Sequence, residues 1–184
     1  MSLELVEGDL FSSSESLAHC VSSDLKMSRS IAVQFRGHFS EYATLASANS
    51  SIGDIIWFKS GNRYIFNLVT KFKFYHKPKY SALQLCLENL RDHLCMLGVS
   101  RLSVPKLGCG LDGLSWERVR CMMESTLGCP FQLCITVYFL SSGYCLILTF
   151  HYFNFCVYFF FSDSHLQSLW MKIQNFSHPF ICGS

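Results

Sequence analysis

Charge is sparse in this chain and is never gathered into blocks: Asp, Glu, Lys and Arg make up 15% of 184 residues and leave a formal net charge of +2. Without a basic stripe, duplex DNA or RNA is a poor partner, because neutralising phosphates takes several clustered cations, and no sequence-specific nucleic-acid binding is expected. None of the ten cysteines is spaced as Cys-x-x-Cys, so a zinc site is not expected and no metal is assigned. The start lacks the basic and apolar regions of a secretory leader: Leu3, Leu5 and Val6 are interleaved with Glu4 and Glu7. The expectation is a nuclear or cytoplasmic protein whose cysteines are reduced and packed as small hydrophobes. Its length suits one α/β domain with an extension, not two full domains.

Periodicity supplies the elements. Residues 3–7 alternate like a half-buried strand, residues 16–22 form a second apolar run, and residues 31–36 suggest a short helix. Two strands flank Gly61 and Asn62, a tight-turn pair, and are expected to be antiparallel neighbours. Leu83, Leu87, Leu90, Leu94 and Leu97 share one helical face that Gly98 closes. A strand at 102–104, a helix from about 115 to 125 and a strand over 132–140 complete the pattern, which implies a mixed sheet covered on both faces.

Residues 143–162 contain no Asp, Glu, Lys or Arg and are dense in Phe, Tyr, Leu, Ile and Cys. About 18 or more apolar residues suffice for a helical membrane span, which is one reading of this stretch. His151 and Asn154 near its middle, the excess of aromatics and the few basic flanks weigh against an anchor. The favoured alternative is that residues 141–184 are an appended tail without an evolved packing partner, outside a domain of residues 1–140.

The densest chemistry lies where the strand at 102–104 runs into Pro105, Gly108, Gly110 and the lone carboxylate of Asp112. Both glycines can adopt positive φ and let main-chain N–H groups approach an anion, and the following helix would add a favourable dipole. A plain strand-to-helix turn explains the same spacing. Asp112 serves either as an acid/base or as a helix cap. Lys71, in a run with Lys73, Lys77 and Lys79, is either a reacting amine or part of a solvated face. His19 and His76 read as packed or surface histidines, and Cys109 as a loop residue without an oriented base.

Taken in order, Gly8, Asp9 and Leu10, then His19 to Ser22, residues 27–32, Thr70 with Lys71, His76 to Pro78 and residues 107–116 resemble the macrodomain family. The resemblance covers about residues 3–140. Within the family it points to the branch that removes terminal ADP-ribose from proteins and deacetylates O-acetyl-ADP-ribose. It implies a three-layer α/β/α fold with a mixed central sheet, binding ADP-ribose at the strand ends without a further cofactor. It also implies roles. Asp9 and Leu10 would meet the adenine end, with Leu140 closing that side. Ser30 and Ile31 would approach the diphosphate and distal ribose, and Lys106, Leu107, Gly108, Cys109, Gly110 and Leu111 would wrap the phosphates. Lys71 would be the nucleophile and Asp112 its acid/base partner. Mono-ADP-ribosylated proteins carrying glutamate or aspartate esters would be the partners, with a monomer acting in the DNA damage response.

One departure bears on turnover. Where the related proteins have a glycine-rich turn after the methionine, this chain has Met27, Ser28, Arg29, Ser30 and Ile31. Lost glycines restrict φ and add bulk beside the expected ribose. An ADP-ribose-binding module with little or no turnover is therefore the alternative function. Phe72, Phe74 and Tyr75 also replace a more polar stretch, with consequences for access to Lys71.

Overall fold

Strand depth follows apolar content. In the computed structural model, which describes residues 1–45, 50–128 and 132–140, the alternating β1 (Ser2–Glu7) lies at one edge of a six-stranded sheet. The apolar runs of β2 (Ser16–Ser22), β4 (Arg63–Lys71), β5 (Arg101–Pro105) and β6 (Cys134–Phe139) occupy its interior. The order is β1-β6-β5-β2-β4-β3, with β3 (Ile55–Ser60) at the far edge. All neighbours are parallel except β3 and β4, the hairpin expected around Gly61, whose φ of 59° meets the turn's demand.

The inner strands are covered on both faces, so their side chains sort by parity. In β4, Phe66 and Leu68 pack toward α3 (Tyr80–Met96) and α4 (Trp116–Leu127), with Leu83, Leu87, Leu90, Leu94, Val119 and Met123. Ile65 and Val69 point the other way, toward Phe35 of α1 (Ile31–His38), Tyr42 of the one-turn α2 (Tyr42–Leu45) and Leu10 in a short 3-10 turn after β1. The result is the expected three-layer α/β/α arrangement. Phe35, Phe66, Leu87 and Leu90 are completely buried, each such side chain contributing about 1.5–3 kcal/mol relative to exposure.

One seam interrupts the sheet. β2 meets β5 at two residue pairs only, Ser16 opposite Leu102 and Leu17 opposite Ser103. Below these pairs Glu15 fastens the strand starts, accepting from Arg101 Nε at 2.6 Å and Ser103 Oγ at 2.8 Å. Above them the strands pair only with their outer neighbours, β2 with β4 and β5 with β6.

Several expectations need correction. Positive φ occurs at Gly108 and Gly113, not at Gly110, because the Gly113 N–H closes a turn on the Gly110 carbonyl at 3.1 Å and the reversal falls on its last residue. The cysteines are free where described, but Cys95 and Cys121 are exposed, being on the solvent sides of α3 and α4. Helix α4 continues to Leu127, which is fully buried and prolongs its apolar stripe. Helix α2 had no counterpart in the expected elements. The tail at 141–184 and its two readings lie outside the described residues, among which no helix is long and apolar enough to cross a membrane.

Candidate active site

Parallel strands deliver their C-terminal ends to one edge of the sheet, and the expected site residues gather there. Lys71 is the last residue of β4, and a bulge sets its direction. Val21 faces Val69, but Ser22 faces Lys71, so Thr70 is the extra residue. A bulge bends its strand and re-aims the next side chain. Past it, Lys71 Nζ donates to Asp112 Oδ1, from the loop after β5, across 41 residues of sequence. Their side chains are 13% and 15% exposed, so the salt bridge is largely withdrawn from water yet open at one side. Asp112 therefore does not cap α4; Ser115 occupies that position.

The glycine loop is shaped by two turns. The Cys109 N–H bonds the Lys106 carbonyl at 3.1 Å, and the Leu114 N–H bonds the Gly108 carbonyl at 2.9 Å. Gly108 has φ 68°, which favours glycine, and a Cβ there would stand 2.7 Å from Leu114 Cδ1 and push that side-chain tip aside. The N–H groups of Gly108, Gly110 and Leu111 meet no acceptor among the described residues. Unclaimed donors gathered in one loop are what an anion-binding site requires.

The other expected residues divide by what their side chains do. Leu10 and Leu107 are buried in the two core clusters, so only their main chains reach the edge. Asp9 caps the 3-10 turn, its Oδ1 accepting from the Phe11 N–H at 3.0 Å. Leu140 is 40% exposed at the end of β6. The Lys106 ammonium lies 4.6 Å from the centre of the Phe139 ring, a cation–π contact. Half-buried Cys109 donates its thiol to the Leu107 carbonyl, and burial pushes that thiol up to about 11. It is protonated at neutral pH and is not a ready nucleophile. Beneath the pair, burial likewise raises Cys20, with Cys86 and Asp112 adding to the effect.

The wall at residues 28–30 is exposed and keeps a glycine-like backbone without glycine. Leu25 and Met27 both have φ of 43°, and Ser30 has φ 56° with ψ −148°, a region otherwise almost reserved for glycine. Ser30 precedes α1 with no side-chain cap bond, and Ile31 begins the helix half-buried. The aromatic segment braces this loop: the Lys26 ammonium sits 4.3 Å over the Phe74 ring. Phe72, next to Lys71 in the chain, and Tyr75 remain 57% and 65% exposed.

His19 is buried in a polar network and His76 is exposed, as their two readings allowed. Sequence reasoning missed Lys77, whose ammonium donates to the Leu111 carbonyl next to Asp112. Tyr80 adds a second strap, accepting from the Ser115 N–H at 3.0 Å. Within a run of lysines, no local signal distinguishes the one that ties down the glycine loop.

No family model matches the chain. It is 42% identical over 135 residues to human ADP-ribose glycohydrolase OARD1, covering 72% of this chain and 88% of that protein. The bovine protein of the same name is 39% identical over 135 residues, with the same coverage. Among solved structures, the macrodomain of Thermus aquaticus DarG superimposes with a TM-score of 0.69 at 28% identity, covering 74% of this chain and 97% of that one.

Proposed function

The chain belongs to the macrodomain family, and from that premise we propose that it is a hydrolase releasing mono-ADP-ribose from protein glutamate and aspartate esters and deacylating O-acyl-ADP-ribose. The observation that carries this reading is the Lys71–Asp112 pair, assembled from two strand ends and left open on one side.

The chemistry needs both residues. Lys71 Nζ attacks the anomeric carbon of the distal ribose, forming a C–N bond as the C–O bond to the protein carboxylate breaks and that carboxylate leaves. Asp112 first takes a proton from the Lys71 ammonium, which gives the nitrogen the lone pair it attacks with, and passes that proton to the departing carboxylate. Water, activated by Asp112, then adds to the same carbon, and the amine departs with a proton returned to it, freeing ADP-ribose. The unclaimed N–H groups at Gly108, Gly110 and Leu111 hold the diphosphate, while Asp9, Leu10 and Leu140 frame the adenine and Ser30 and Ile31 the distal ribose.

The test is single-turnover release from a glutamate-linked ADP-ribosyl peptide. Asp112→Asn slows release by about 10²–10⁴, and Lys71→Ala abolishes it while ADP-ribose still binds. Undiminished release by Lys71→Ala would refute the nucleophile. A second reading, a binding module without turnover, is favoured by the glycine-type backbone at Ser30; it predicts binding of ADP-ribose with no release by the unmutated chain. The reading further places a monomer in the nucleus or cytoplasm, acting on mono-ADP-ribosylated proteins in the DNA damage response.

A further inference from the structure

Strand order sets out the candidate site in a line. Asp9 and Leu140 follow β1 and β6, the glycine loop follows β5, Ser30 follows β2 and Lys71 ends β4. One strand remains beyond Lys71, the edge strand β3. There, between the end of β4, the segment entering β3 and the start of α3, lies a cavity of about 500 Å³. Of the expected ADP-ribose contacts only Lys71 lines it, together with Thr70, His76, Lys77 and Lys79 and, at the back, Ile52. No Asp or Glu is among its described lining residues.

We propose that this cavity receives the protein side of the substrate and selects acidic segments, one or more Asp or Glu residues flanking the modified side chain. The inference rests on the proposed reaction. If ADP-ribose runs along the strand ends with its anomeric carbon at Lys71, whatever is esterified to that carbon continues toward β3 and enters the cavity. Asp112 offsets Lys71, which leaves the charges of Lys77 and Lys79 to favour anionic neighbours and repel cationic ones, so charge sets which modified sites are accepted. Exposed Phe72 offers an apolar lip to the same segment. The site is specificity-determining: Lys79 touches the flanking residues and not the reacting carbon.

The experiment measures binding separately from release. Two ADP-ribosyl peptides with a non-hydrolysable link, one with Glu on either side and one with Ala, are titrated against the full chain and against Lys79→Glu. Free ADP-ribose serves as the reference ligand. An acid at the start of α3 suits the helix dipole, so this substitution keeps the fold. The acidic peptide should bind about tenfold more tightly than the neutral one, and the advantage should vanish in Lys79→Glu and shrink with salt. Equal affinities, an advantage that survives in Lys79→Glu, or an equal loss for free ADP-ribose would overturn the proposal. Release is followed in parallel with ester-linked peptides. Preferential binding without release would overturn the hydrolase reading and leave the acidic subsite standing; release without flank preference would do the reverse.

Discussion

Acidifying the protein from pH 7.5 to 5 should cost it about 2 kcal/mol through one buried side chain, His19. Its imidazole is completely buried and stacked on Phe35 at 3.7 Å between ring centres. Nε2 lies 2.8 Å from Asn67 Oδ1 and 2.9 Å from Tyr42 Oη, while Nδ1 has no partner among the described residues. The neutral tautomer with its proton on Nε2 donates to Asn67, whose own amide donates to the Ile56 carbonyl at 2.9 Å. Protonation would place a second N–H at Nδ1 with nothing to receive it and a charge where no water reaches. Burial therefore lowers the group from 6.5 to about 3, against a smaller opposing effect of the Asn67 bond.

Because the folded-state value lies below the unfolded one, the unfolded chain binds more protons between them. The contribution is complete above pH 6.5 and is lost as pH falls toward 3. At 1.36 kcal/mol per unit the full range is worth about 5 kcal/mol, and the interval down to pH 5 about 2 kcal/mol. With a urea m-value of about 2 kcal/mol per molar, the midpoint should fall by about 1 M. Urea unfolding at pH 7.5, 6.5, 5.5 and 5 measures this, with His19→Gln as the non-titrating control. A slope unchanged in His19→Gln would refute the reasoning. So would an imidazole that titrates near 6.5 in the NMR spectrum of the folded wild-type chain, a measurement that stands even if the variant fails to fold.

Other substitutions probe the walls of the site and the core. Ser30→Gly should raise stability by about 1 kcal/mol by relieving a conformation that serine adopts at a cost of about 1–3 kcal/mol, read from the urea midpoint; a destabilised variant would argue against strain there. Gly108→Ala combines a left-handed φ with the crowding of Leu114 and should lose about 1–2 kcal/mol along with ADP-ribose affinity, measured by denaturation and calorimetric titration. Leu90→Ala in the fully buried face of α3 should cost about 2–5 kcal/mol. Met96→Ala, 66% exposed at the end of the same helix, should stay within about 0.5 kcal/mol, so similar losses for both would contradict the packing described.

Local signals in the sequence reached the elements with strong periodicity or turn chemistry. Gly61 announced the β3–β4 hairpin, the leucine face announced α3, and Gly108 announced the turn it makes. What local signals could not reach depends on tertiary contact. The bulge at Thr70 arises from pairing with β2, and nothing within residues 63–71 marks it. Leu107 looks like a loop residue but fills the core, being held inside the turn that the Cys109 N–H closes on the Lys106 carbonyl. The exposure of Cys95 and Cys121 reflects which face of each helix meets the sheet. The roles of Lys71 and Asp112 came through the family resemblance, since the run of lysines alone reads equally well as a solvated face.

The seam between β2 and β5 gives the molecule a division of labour. Asp9, Leu140 and the glycine loop follow strands on one side of it, and Ser30, Lys71 and the aromatic segment follow strands on the other. The departures from the family pattern, at residues 28–30 and at Phe72, Phe74 and Tyr75, all fall on the second side. With only two residue pairs joining the sheet at its middle, the halves meet at this edge through the Lys71–Asp112 salt bridge, the Lys77 bond to the Leu111 carbonyl and the Ser115 bond to Tyr80, so the candidate site itself spans the seam. In the proposed reading one half grips the nucleotide and the other meets the rest of the substrate.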